Sequence, residues 1–113
     1  MAQVIVSVTL AASAERVWDF IGGFQSLAEW SSSIKTSLAE HGGRVRRLKT
    51  TDGAVIAERL QSYSEADKSY SYTIVSGPIP VKNYRSTLRV TGEPGGASCV
   101  AQWSSEFDAA EGV

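Results

Sequence analysis

The sequence predicts an α+β protein: a curved antiparallel sheet of seven strands, with two short helices after the first strand. Three observations carry this. Residues 4–10 alternate as a strand does, with Val4, Val6, Val8 and Leu10 against Ile5, Ser7 and Thr9. A short stretch at helical spacing follows. From Ile34 onward, six strand-like runs are separated by turn chemistry.

The helical stretch has its own punctuation. Ser13 reads as an N-cap, and Glu15 in the first turn suits the positive end of the helix dipole. Arg16 stands where a capping box would place Glu. Apolar residues at Val17, Phe20, Ile21 and Phe24, with Trp18 beside them, define the expected buried face. Gly22-Gly23 stops this helix, and a second short one is expected from about Ser26 to Trp30.

The later strands are expected at Ile34–Glu40, Arg44–Thr50, Ala54–Tyr63, Ser69–Val75, Val81–Thr91 and Ser98–Phe107. The breaks are Gly42-Gly43, Asp52-Gly53, Glu65-Ala66-Asp67, the Gly77 to Pro80 stretch and the Gly92 to Gly96 stretch. Asp52-Gly53 is the strongest short hairpin signal. Strands joined by such short loops pair antiparallel.

Length and composition narrow the function. A chain of 113 residues is sized for one domain, expected here to span 1–113. With 42% hydrophobic and 20% charged residues, it belongs among globular rather than disordered chains. The formal net charge of -1 argues against a general nucleic-acid binder. Four cations cluster at Arg44, Arg46, Arg47 and Lys49, but no aromatic platform interleaves with them, so they read as a solvated strand face. Cys99 is the one cysteine, which excludes an intrachain disulfide and suits a small core hydrophobe. His41 and Cys99 cannot make a zinc site, and the carboxylates are scattered singly, so no metal and no cofactor are expected. No apolar run is long enough to cross a membrane, and residues 1–6 do not read as a signal peptide; a cytoplasmic protein is the expectation.

Alternation also assigns faces. Tyr70, Tyr72 and Ile74 fall on one side of their strand. So do Tyr84, Ser86 and Leu88; Cys99, Ala101, Trp103, Ser105 and Phe107; and Ile56, Glu58 and Leu60 in theirs. A core filled only for packing favours aliphatic side chains, because each buried hydroxyl, indole N–H or carboxylate needs a partner. Three tyrosines, a tryptophan and a glutamate turned one way suit an amphipathic pocket instead.

These residues resemble a known family. The order strand, two helices, six strands is part of the likeness. So are Val17-Trp18-Asp19-Phe20, Trp30, Glu58-Arg59-Leu60, the stretch from Gly77 to Ser86, and Trp103-Ser104-Ser105-Glu106-Phe107. Together they look like the polyketide cyclase/dehydrase branch of the START-like, SRPBCC superfamily. The resemblance implies the helix-grip fold, in which the sheet curls around a long C-terminal helix over a hydrophobic cavity. Locally, Glu58-Arg59-Leu60 and Asn83-Tyr84-Arg85-Ser86 resemble strands of the plant abscisic-acid receptors, whose glutamate, tyrosine and serine point into the cavity. Two features depart from those receptors. Their latch stretch corresponds to Ile79-Pro80-Val81, and their carboxylate-binding lysine falls near Ser32, with Lys35 close by. A hormone-receptor role is therefore unsupported, and an anionic ligand is not implied. The family's C-terminal helix is absent from a sequence that stops at Val113, soon after Phe107.

Three functions remain open. The first is binding of a hydrophobic or lipid-like small molecule by Trp30, Ile56, Glu58, Leu60, Tyr70, Tyr72, Ile74, Tyr84, Ser86 and Trp103. The second is a cyclase or dehydratase with Glu58 as general base and Tyr84 or Tyr72 stabilising an enolate; here Glu58 could equally pair with a nearby Arg or Lys. The third is an interaction module whose concave face binds another chain. His41, alone and near a turn, offers no catalytic triad. Should residues 1–113 be the whole molecule, the inner face would need cover, and a homodimer is expected.

Overall fold

A computed structural model describes residues 2–78 and 81–109. Ile79, Pro80 and residues 110–113, on which the expectations about the latch stretch and the C-terminal helix fall, lie outside them.

Strand β1 spans Ala2–Leu10 and helix α1 spans Ala14–Ile21. A single turn of tight helix at Phe24–Ser26 leads into α2, Leu27–Trp30. The remaining strands are β2 (Ile34–Glu40), β3 (Val45–Thr50), β4 (Val55–Ser64), β5 (Ser69–Ser76), β6 (Val81–Gly92) and β7 (Cys99–Ala109). They form one sheet in the order β1-β7-β6-β5-β4-β3-β2, with every neighbour antiparallel.

The helix punctuation follows the sequence. Ser13 Oγ accepts the Arg16 amide at 3.3 Å, which satisfies one of the free N–H groups of the first turn. The helix ends at Gly22, where an added Cβ would lie 2.5 Å from the Trp18 ring. One expectation fails here. Phe20 is exposed, and the buried face is Ala14, Val17, Trp18 and Ile21. Those four occupy an i, i+3, i+4, i+7 stripe, and Phe20 stands just outside its arc.

Facing residues of paired strands share a side of the sheet. The concave side therefore collects Leu48 and Ile56, Glu58 and Ile74, Leu60 and Tyr72, Tyr70 and Leu88, Ser86 and Ser105, Leu88 and Trp103, then Trp103 and Val6. Helix α1 and Phe24 pack into this concavity against Tyr70, Tyr72, Leu88, Val90, Cys99 and Ala101, forming the core.

Two irregularities adjust the pattern. The pairing shifts between Leu60 and Ser62, so that Tyr63 faces Tyr70 and stacks on it at 6.3 Å. In β6, Asn83 and Tyr84 together oppose the single residue Phe107, and Asn83 takes φ 55. That bulge keeps Lys82 and Arg85 on the convex side and sends Tyr84 inward.

The cation cluster on β3 corrects a second expectation. Arg44 and Arg47 are exposed, as is Lys49, but Arg46 is completely buried. The strand period explains it: Arg46 shares the concave side with Leu48, while Arg47 turns outward to pair with Glu40 at 3.0 Å.

Candidate functional site

Between the concave sheet and α2 lies a cavity of about 280 Å³. Its walls are Leu48, Ile56, Glu58, Tyr72, Ile74, Tyr84 and Trp103 from the sheet, with Ile34 of β2. Leu27, Ser31 and Ser33 close it from α2 and the loop that follows. Beside it runs a more apolar groove of about 230 Å³, lined by Val6, Val8, Leu10, Ile21, Trp30, Leu88, Ala101 and Trp103.

Of the ten residues expected to bind ligand, Ile56, Glu58, Tyr72, Ile74, Tyr84 and Trp103 line the cavity. Tyr70 and Ser86 are buried, and Leu60 packs against the core. Trp30 lines the neighbouring groove and packs on Trp103 with ring centroids 5.7 Å apart. Leu27, Ile34, Leu48, Ser31 and Ser33 were not expected. Leu48 was legible from the strand period, whereas the α2 residues depend on how that helix folds over the sheet.

The floor is an ion pair. Arg46 Nε donates to Glu58 Oε1 at 2.8 Å, and Arg46 Nη2 stands 2.8 Å from the same oxygen. Arg46 Nη1 donates to the Phe24 carbonyl at 2.8 Å and to Tyr70 Oη at 3.4 Å. The guanidinium also lies 4.2 Å from the centroid of the Phe24 ring and 4.7 Å from that of Tyr72. Burial raises the Glu58 carboxyl above its ordinary value, and Arg46 opposes that rise. Burial likewise works against the Arg46 charge, but Glu58, Tyr70 and Tyr72 outweigh it.

A chain of hydroxyls crosses the opposite wall. Trp103 Nε1 donates to Ser86 Oγ at 2.6 Å and to Tyr72 Oη at 3.0 Å. Ser86 Oγ donates to the Ser104 carbonyl and also meets Ser105 Oγ, each at 3.0 Å. Ser105 Oγ lies 3.2 Å from Tyr84 Oη. Burial drives the Tyr72 phenol far above its ordinary value, so it stays neutral. Among the described residues, no cluster of His, Cys, Asp and Glu could hold a metal ion.

The whole chain, residues 1–113, matches the family model described as polyketide cyclase/dehydrase and lipid transport. The chain belongs to that family. No curated protein sequence matches it significantly. Among solved structures, an uncharacterised protein from Bacillus thuringiensis is 37% identical with TM-score 0.94, covering 99% of this chain and 82% of that one. Protein XoxI from Bacillus cereus is 38% identical with TM-score 0.95, covering 100% of this chain and 80% of that one. The ZhuI aromatase/cyclase from Streptomyces sp. R1128 shares the fold at 18% identity and TM-score 0.82, covering 99% of this chain and 70% of that one. The antiparallel seven-stranded sheet with its two short helices is the fold shared with the aromatase/cyclase. Membership supports ligand binding or cyclase chemistry in general terms. No helix of the described residues is long and apolar enough to cross a membrane.

Proposed function

We propose that this protein binds a hydrophobic small molecule in the cavity between β3–β7 and α2. One observation carries the reading: an amphipathic cavity whose single carboxylate, Glu58, is held from behind by a buried arginine. At about 280 Å³ it sits near the small end of ordinary ligand pockets, which span roughly 300–1,000 Å³. Apolar walls supply the affinity, and the few polar groups orient the ligand.

The same ion pair favours binding over acid/base chemistry. A general base must take up a proton in the reaction, and Arg46, bonded to Glu58 Oε1, favours the charged carboxylate and opposes that step. Native mass spectrometry of protein purified from its own host tests the reading. A small molecule retained at one copy per chain is the expected result. An empty protein that also leaves a fluorescent hydrophobic probe unbound would overturn it.

We also propose that the 113-residue chain self-associates. Val4, Val6 and Val8 continue the concave wall and are 49%, 62% and 52% exposed. Such a patch favours cover by a second copy. Sedimentation should show a dimer that Val6→Lys dissociates; a monomer at high concentration would refute it.

A further inference from the structure

We propose that the cavity selects a neutral ligand bearing a hydrogen-bond donor, a phenol or alcohol on an apolar body, and rejects the corresponding carboxylate. This rests on the ligand-binding reading above. It comes from following each proton along the cavity wall.

A serine hydroxyl has one proton to give. Ser86 gives its proton to the Ser104 carbonyl. In the contact between Ser86 and Ser105, Ser105 must then be the donor. Ser105 has thereby spent its proton, so Tyr84 must donate in the contact between Tyr84 and Ser105. Tyr84 Oη consequently offers the cavity lone pairs only.

Glu58 points the same way. Both of its contacts with Arg46 fall on Oε1. Among the described residues Oε2 accepts no hydrogen bond, and Glu58 lines the cavity. The guanidinium that could attract an anion is 0% exposed, beneath Glu58 and between aromatic rings. An entering carboxylate therefore meets the acid and not the base. Tyr72 Oη accepts from Trp103 Nε1 and keeps its own proton, and the bonded hydroxyls of Ser31 and Ser33 leave one more, so the donors are neutral in a cavity that also holds a carboxylate. A hydroxyl, in contrast, finds two acceptors, one of them charged, and charge-assisted hydrogen bonds are the stronger kind.

The test uses three probes of one shape: naphthol, its methyl ether and naphthoate, titrated by fluorescence at neutral pH. Naphthol should bind about tenfold more tightly than the ether, and naphthoate most weakly of the three. Tyr84→Phe should shrink the advantage of naphthol over the ether. Glu58→Gln should erase the discrimination against naphthoate. Should that variant fail to fold, the three wild-type titrations and Tyr84→Phe decide alone. Equal binding of naphthol and ether, or naphthoate binding tightest, overturns the inference and leaves the cavity reading standing. Binding of none of the three overturns both.

Discussion

Arg46 and Glu58 face one another across β3 and β4, and their charges meet at 2.8 Å in the floor of the concave face. Removing one partner strands the other in the interior. Arg46→Met should therefore cost about 3–5 kcal/mol. The double variant Arg46→Met with Glu58→Leu should recover most of that loss, because apolar residues of similar volume replace a buried pair at little cost. Chemical denaturation of the three proteins measures it. An Arg46→Met variant as stable as the parent would show that the pair contributes nothing.

Gly22→Ala should destabilise the fold by about 1–3 kcal/mol, as an overpacked site does. Its φ of -78 is open to any residue, so the cause is contact alone. The new methyl would meet the Trp18 ring at 2.5 Å. That ring cannot move cheaply, because its Nε1 donates to Glu65 Oε2 at 3.0 Å. A thermal melt unchanged by the substitution would overturn this.

Alkaline titration should separate the tyrosines. Burial, with the Glu65 hydrogen bond, pushes Tyr63 up to about 12. Burial first, with Arg46 opposing it, also raises Tyr70. Burial raises Tyr72 further. Three of the four tyrosines should stay protonated above pH 10.0 while the chain is folded. The unfolded chain releases those protons at the ordinary value. Stability is thus unaffected by them below pH 10.0 and falls as pH rises past it. Phenolate absorbance checks this; two tyrosines ionising together at 10.0 in folded protein would contradict it.

Asn83→Val should cost about 1–2 kcal/mol, because the bulge holds Asn83 at φ 55, where a β-branched side chain is strained. The substitution also removes the 3.0 Å bond from Asn83 Nδ2 to Asp108 Oδ2. Asn83→Gly should restore the backbone freedom and lose only that bond. A Val variant more stable than the Gly variant would show that the bulge is not strained.

Much of this was readable from residue order. Strand alternation and turn residues located all seven strands, and Ser13 and Gly22 bounded α1. The shared side of Glu58, Tyr72, Tyr84 and Trp103 followed from period two alone. Arg46 escaped because four neighbouring cations suggested a wet face, although period two placed it beside Leu48. Tyr63 escaped because the pairing shift before Ser62 reverses the alternation beyond it. The proton directions along Ser86, Ser105 and Tyr84 depend on distances between three strands, which no local pattern carries.

The pairing of β3 with β4 has one more consequence, for folding itself. Suppose β3 slid by one residue against β4 during assembly. Arg46 would then stand opposite Ala57 or Arg59, and Glu58 opposite Val45 or Arg47. A one-residue slip also turns a strand's inward set outward, leaving Glu58 facing the interior with no counter-charge. An isolated buried charge costs several kcal/mol. Once the sheet packs against α1 and α2, the slipped register carries that cost and the native one does not. A pair that contributes little net stability in the finished protein thus widens the gap between the native register and its slipped neighbours.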